Sequence, residues 1–93
     1  MTVIKAWTLD SICPAQFMGL TDDGRHIYAR YRFGCLRVYV RGDYGDSPMG
    51  GECVHWSEFG DQYAGSLLFD DLREATPKID WPELLSPAPE WAA

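Results

Sequence analysis

The sequence contains few of the residues that build covalent or metal-linked frameworks. Its three cysteines, Cys13, Cys35 and Cys53, are an odd number without a Cys-x-x-Cys pair, so neither a complete disulfide framework nor a zinc-binding pattern is indicated. Cys53-x-His55 lacks the second close pair that would complete four ligands. We therefore expect free thiols in a reducing compartment, a cytoplasmic location, and neither a metal nor another cofactor.

The sequence also lacks long apolar runs and the motifs of common enzymes. No stretch approaches the roughly 18 apolar residues of a membrane-spanning helix, and the N-terminus has no basic segment followed by an apolar run, as a signal peptide would. There is no Gly-x-Ser-x-Gly, His-Glu-x-x-His or glycine-rich phosphate loop, and there are only two histidines. The sequence thus predicts a protein without a membrane span that acts by binding, without catalysis.

Positive charge is scarce in the second half of the chain. Residues 1–46 carry six Lys or Arg against five Asp or Glu, whereas residues 47–93 carry two against nine, a balance of −7 within a total net charge of −6. Nonspecific binding of nucleic acid or of an anionic membrane needs net positive surface. The charge therefore argues against direct nucleic-acid binding by the whole molecule and allows a partner with a basic surface.

The length and composition indicate one domain. The chain has 93 residues, 46% of them hydrophobic and 24% charged, which is ordinary for a globular protein and leaves little room for a second core. We expect a single domain over residues 1–85. A proline-rich tail follows over residues 86–93, and we expect the glycine-rich segment 42–51 to form an exposed loop.

Alternation of apolar and polar residues predicts an antiparallel β-meander. The clearest runs are residues 26–33 and 35–41, which follow an Asp23-Gly24 hairpin turn and are separated by Gly34. In this pattern Ile27, Ala29, Tyr31 and Phe33 face a core. Residues 2–9, 15–21 and 52–59 complete a predicted sheet of four or five strands, in which Trp7 and Trp56 are expected in the core.

Near Leu68 the apolar pattern changes from the alternation of a strand to the spacing of a helix. An apolar stripe formed by Leu68, Phe69, Leu72 and Ala75 predicts one helix, which ends before Pro77 and packs on the apolar face of the sheet. The predicted fold class is α+β, with an extended tail that contains proline and tryptophan. We expect Trp81 to pack back onto the sheet, while the pattern leaves the role of Trp91 open.

The outward face of the predicted meander is rich in arginine and tyrosine. Cross-strand neighbours stand about 5 Å apart, which would gather guanidinium groups around aromatic rings. Such a face suits an anionic ligand or single-stranded nucleic acid. The alternative is that the protein's own acidic helix or loop neutralises these arginines. The candidate anion-binding residues are Tyr28, Arg30, Arg32, Arg37, Tyr39 and Arg41.

A second candidate surface is acidic, and its alternative is a solvated face that only aids solubility. On a helix Asp70 and Glu74 would lie roughly 6 Å apart, close to the phosphate spacing of a DNA strand, about 7 Å when rise and twist are combined. The candidate partner-binding residues are Asp70, Asp71, Glu74, Asp80 and Glu83.

In size, acidity and lack of catalytic motifs the chain resembles small phage-encoded inhibitors of nucleic-acid-guided defence complexes, the anti-CRISPR type. The resemblance is one of type, without matching motifs. It implies an inhibitor that mimics nucleic acid and occupies the basic channel of a partner protein. This is the leading hypothesis from the sequence. The other two hypotheses are an anion-binding module that uses the arginine and tyrosine residues, and an accessory domain that dimerises through a sheet edge.

Overall fold

The computed structural model describes residues 1–10, 15–41, 52–61 and 65–88, with only the backbone described at Asp10 and Arg41. The predicted loop 42–51 and Trp91 lie outside these ranges. Within these ranges, five strands form one antiparallel sheet in the order β1-β2-β3-β4-β5, and one helix follows them. The elements are β1 (Val3–Asp10), β2 (Ala15–Thr21), β3 (His26–Arg32), β4 (Cys35–Arg41), β5 (Glu52–Glu58) and α1 (Phe69–Ala75).

The predicted α+β class and antiparallel meander are confirmed, because each strand pairs with its neighbour in the sequence. The β2–β3 turn shows the local reason. Gly24 has φ 85°, the left-handed conformation that glycine adopts without penalty. Thr21 closes the turn, since its Oγ1 accepts a hydrogen bond from the Arg25 backbone N–H at 2.9 Å.

One face of the sheet, here called the core face, carries the main apolar cluster. Most of the sheet residues in this cluster come from β3 and β4, where every second side chain points to the core face. Tyr31 closes one end of the cluster, where its hydroxyl donates to the Phe59 carbonyl at 2.6 Å and its ring stacks on Phe59 at 4.9 Å. Members from the sheet are Val3, Ala6, Ala15, Phe17, Ile27, Ala29, Tyr31, Leu36, Val38 and Val40.

Helix α1 and the segment that follows it belong to the same cluster. Leu72 is fully buried among the core-face residues, and the Phe69 ring lies 5.9 Å from that of Phe17. Trp81 is also buried, and its indole Nε1 donates to Thr76 Oγ1 at 2.8 Å. These contacts place the helix on the core side of the sheet.

The opposite face of the sheet holds a second, smaller apolar cluster. Trp7, Met18 and Tyr28 are buried together there, on β1, β2 and β3, with Leu20 and Tyr39 packed against them. The three core members lie in register across neighbouring strands. Both faces of the sheet are therefore buried at its β1–β3 end, whereas the β3–β5 end of this second face is polar.

The two outer strands differ in how their edges are covered. The Asp80 carbonyl accepts from Val3 N at 2.8 Å, and the Ser86 backbone N–H donates to the Ala6 carbonyl at 2.7 Å, so the chain after α1 covers part of β1. Strand β5 is the outer strand at the other end, and pairing of this edge with a second copy stays a prediction. In the part of the chain that the structure describes, no helix is long and apolar enough to cross a membrane.

Three predicted core positions were wrong. Phe33 is 65% exposed because β3 ends at Arg32 and Phe33 opens the turn to β4. Trp56 is 64% exposed because β5 is an outer strand and only its other face meets the core. Leu68 is 73% exposed because it precedes the helix as its N-cap residue. Phe33 and Trp56 stand instead beside the candidate site.

Candidate functional site

The polar end of the second sheet face forms a cleft across strands β3, β4 and β5. The β3–β4 register sets Arg30 opposite Arg37 and Arg32 opposite Cys35, and alternation turns these side chains away from the core face. The cleft has a volume of about 380 Å³. It is called the arginine cleft below, and its lining residues are Arg30, Arg32, Phe33, Cys35, Arg37, Tyr39 and Glu58.

The charges in the arginine cleft are unbalanced. Arg30 and Arg37 are directly opposite each other on neighbouring strands, an arrangement of like charges that destabilises a sheet. Among the described residues, Glu58 is the one carboxylate in the lining, and no ion pair within 4.0 Å joins it to an arginine of the cleft. The Nε of Arg30 is buried without a hydrogen-bond partner in the same part of the chain. An anion in the cleft would relieve both the repulsion and the unsatisfied donor.

Arg37 is held by polar and aromatic neighbours. Hydrogen bonding to the Cys35 thiol, and then to the Tyr39 hydroxyl, raises the pKa of the Arg37 guanidinium, so the group keeps its full charge. The guanidinium carbon lies 5.6 Å from the centre of the Trp56 ring. Trp56 is fixed in turn, because its Nε1 donates to Cys35 Sγ at 2.8 Å.

Phe33 and Gly34 connect β3 to β4 at one end of the cleft. Both have positive φ, 55° and 70°, which is the pattern of a tight type I′ hairpin turn. Asparagine, aspartate and glycine are the usual residues for such a turn, and phenylalanine is unusual in it. The Phe33 ring contacts the guanidinium of Arg32, 4.6 Å from its centre, and leaves most of its surface exposed.

The structure brings four of the six predicted anion-binding residues together: Arg30, Arg32, Arg37 and Tyr39 all line the cleft. Tyr28 does not line it, because its ring is buried in the second apolar cluster and its hydroxyl donates to Gln16 Oε1 at 2.9 Å. That burial raises the pKa of the Tyr28 phenol. Arg41 ends β4, and its side chain is not among those described.

The five predicted partner-binding carboxylates are all exposed. Asp70, Asp71 and Glu74 are on α1, while Asp80 and Glu83 follow it. Asp70 makes an ion pair with Arg73 one turn along the helix, at 3.6 Å. Because α1 packs on the core face, its carboxylates are on the other side of the sheet from the arginine cleft, so the helix does not neutralise the arginines. The alternative of an acidic loop as counter-charge stays untested, since the predicted loop 42–51 lies outside the described residues.

The parts that Phe33, Glu58 and Trp56 play in this site are not predicted by the sequence pattern. Phe33 had been assigned to the core because the alternation of β3 continues through it. The signal that identifies it is Gly34: a two-residue turn that ends in glycine moves the preceding residue out of the strand. Glu58 lies in the acidic half of the sequence, and the pairing of β5 with β4 that brings it to the cleft is not visible there.

No protein-family model matches the chain, and comparison with curated proteins and with solved structures finds no match either. Among residues 1–10, 15–41, 52–61 and 65–88, no three His, Cys, Asp or Glu side chains form a group that could hold a metal ion. The candidate site therefore rests on its own geometry.

Proposed function

We propose that this chain is a binding module, without catalysis, whose arginine cleft receives a phosphate-bearing anion. The observation that carries the proposal is the direct opposition of Arg30 and Arg37 in a concave site, with no carboxylate in ion-pair contact with them among the described residues. Like charges so placed weaken the sheet. A bound anion turns that repulsion into attraction.

The composition of the cleft favours phosphate over a single carboxylate. Three guanidinium groups of the described residues line it, and guanidinium binds phosphate through two parallel hydrogen bonds. A terminal phosphate group has three acceptor oxygens and a charge of about −1.5 to −2 near pH 7. A phosphodiester keeps about one charge and about two free oxygens, so either group can engage more than one arginine. A single carboxylate would leave at least one of the three guanidinium groups without an anionic partner.

The test is the affinity of inorganic pyrophosphate measured by isothermal titration calorimetry. We expect Arg30→Ala and Arg37→Ala each to weaken binding about tenfold, the effect of a lost charged hydrogen bond. Arg73→Ala is the matched control, because it removes the same charge from the helix on the opposite side of the sheet. Equal loss in all three variants, or no binding to the wild-type protein, would contradict the proposal.

A second proposal concerns the acidic surface. We infer that Asp70, Asp71 and Glu74 dock on a basic surface of a partner protein, a channel that otherwise holds nucleic acid, and thereby block it. The supporting observation is that these carboxylates are exposed on one helix, where Asp70 makes an ion pair with Arg73. Asp80 and Glu83, which follow the helix, extend this acidic surface.

This second proposal is tested by capturing partners from a lysate. The wild-type protein is compared with a triple variant in which Asp70, Asp71 and Glu74 are replaced by lysine. The captured partner should be basic, should be released as salt rises, and should be lost in the triple variant. Arg30→Ala should leave this capture unchanged, since it alters the other face. Retention of the partner by the triple variant would contradict this second proposal.

A further inference from the structure

The spacing of the cations in the arginine cleft suits a chain of phosphates. Arg30 and Arg32 are two residues apart on β3 and both line the cleft, which separates them by about 6.7 Å along the strand. Successive phosphates of a nucleic-acid strand are separated by about 7 Å when axial rise and twist are combined. Arg37, opposite Arg30, offers a second guanidinium to the same phosphate.

Two exposed aromatic rings accompany these cations. Phe33 borders the cleft next to Arg32, and Trp56 stands on the neighbouring strand, opposite Arg37 in register. Their exposed fractions are similar, and each ring already has a guanidinium against it. Exposed rings interleaved with arginines are the arrangement on which unpaired bases stack while their phosphates are held.

The backbone at Phe33 strengthens this interpretation. A phenylalanine with φ 55° occupies a conformation that asparagine or glycine adopts at lower energy. Its ring adds little to the core, being mostly exposed. Unfavourable backbone conformations persist only where the surrounding structure fixes them, and they are concentrated at functional sites. A stacking platform at the mouth of an anion-binding cleft is such a use.

From this spacing and these rings we infer that the ligand of the arginine cleft is a single-stranded nucleic acid. Its consecutive phosphates bind Arg30 and Arg32, with Arg37 supporting the first, and its bases stack on Phe33 and Trp56. The inference rests on the proposed anion-binding function. A duplex fits less well, because its bases are already stacked on each other and cannot cover the two rings.

The net charge of −6 limits the strength of this binding without excluding it. The carboxylates of α1 are on the far side of the sheet, and beyond about one Debye length, near 8 Å at physiological salt, their field is largely screened. Local contacts in the cleft then dominate. We expect modest affinity with a shallow salt dependence that reflects two or three phosphate contacts.

The test compares pyrophosphate, uridine monophosphate and labelled oligouridylates of two, four and eight nucleotides, by calorimetry and fluorescence anisotropy. Affinity should rise from the mononucleotide to the tetranucleotide and then level off. A duplex of eight base pairs should bind at least about tenfold more weakly than the matching single strand, because it offers no free base to the rings. Equal affinity for the duplex, or no gain with length while pyrophosphate binds, overturns the inference and leaves the proposed function standing.

Substitution at Phe33 separates the two claims further. Phe33→Asn suits the turn, so the variant remains folded, but it removes the ring. Oligouridylate affinity should fall about tenfold, the effect of one lost stacking contact, and the ratio of oligouridylate to pyrophosphate affinity should fall with it. Phe33→Tyr should restore oligouridylate binding. An unchanged oligouridylate affinity in Phe33→Asn overturns the inference, whereas loss of both ligands in Arg30→Ala, with Arg73→Ala unaffected, supports both claims.

Discussion

Phe33 has a backbone conformation that conflicts with its side chain. In a type I′ turn the first central residue has positive φ, and residues other than asparagine, aspartate and glycine adopt it at a cost of roughly 1 kcal/mol. The contact of its ring with Arg32 recovers part of this, since a cation over an exposed ring contributes about 0.5 kcal/mol. Phe33 therefore adds little net stability to the hairpin.

Replacing Phe33 by asparagine should consequently stabilise the protein. We expect Phe33→Asn to raise the free energy of unfolding by about 0.5 kcal/mol, the balance between the relieved strain and the lost ring contact. Urea denaturation followed by circular dichroism measures this change. Destabilisation by more than about 1 kcal/mol would mean that the ring has a packing role, which its exposure does not indicate.

Glu58 is the residue that opposes anion binding in the arginine cleft. Its carboxylate lines the site without an ion pair to the arginines among the residues described, so it repels a bound phosphate. Glu58→Gln should strengthen pyrophosphate binding about threefold, the effect of removing one charge in a largely solvated cleft. Glu74→Gln makes the same change of charge on the helix and should leave the affinity unaltered. Weaker binding in Glu58→Gln would show that the carboxylate supports the site.

The β3–β4 hairpin is the element that builds the site, and Gly34 fixes its turn. A Cβ at Gly34 would lie 2.6 Å from the Asp61 carbonyl oxygen, and the Gly34 carbonyl accepts from Phe59 N at 2.9 Å. The turn is thus clamped against the segment after β5. This contact also holds β5, and with it Trp56 and Glu58, beside the cleft.

Gly34→Ala should destabilise the protein by about 2 kcal/mol or more, because it adds a backbone clash to the penalty of positive φ. Gly24→Ala is the control: its φ is 85° but its Cβ would meet nothing within 4 Å, so it should lose only about 1 kcal/mol. Chemical denaturation of both variants measures the difference. Equal destabilisation would mean that the Asp61 segment yields without cost.

Much of the sheet was predictable because its strands and turns depend on residues that are close together in the sequence. Strict alternation in β3 and β4, and the Asp-Gly turn before them, predict the meander and place Arg30, Arg32, Arg37 and Tyr39 on one face. Helix α1 follows from the change of period near Leu68. These features depend on neighbouring residues alone, which a single sequence displays.

The remainder depends on long-range pairing. Trp56 was expected in the core because alternation does not reveal that β5 is an outer strand. Tyr28 was expected on an exposed face, yet that face is covered where Trp7 and Met18 meet it, and only strand order brings these residues together. Glu58 joins the cleft through the β4–β5 register. The glycine-rich segment 42–51 separates these two strands in the sequence, so alternation does not reveal how they pair.

At the scale of the whole molecule, opposite charges are on opposite sides of the sheet. The α1 carboxylates extend from the core side, and the arginine cleft opens on the other. The two surfaces are therefore available separately, and substitutions on one should not alter binding at the other. This separation is what makes the charge-matched comparisons of Arg30 with Arg73, and of Glu58 with Glu74, informative.

The pH dependence of stability is a second property of the whole fold. Burial lowers the pKa of both His26 and His55 from the ordinary value of 6.5. The unfolded chain therefore binds more protons than the folded protein near pH 6.5, so stability falls as the pH drops from about 7.5 toward the lowered pKa values of the folded protein. Urea midpoints across this range should decline, and should become flatter when both histidines are replaced by glutamine. A midpoint that rises on acidification would contradict the burial argument.

The central claim is that the arginine cleft is the anion site, and the most direct measurement is an NMR titration of the wild-type protein with pyrophosphate. The amide signals of Arg30, Phe33, Arg37 and Tyr39 should shift together along a single saturating curve, while those of α1 stay in place. Shifts concentrated at α1, or spread evenly over the chain without saturation, would contradict the account.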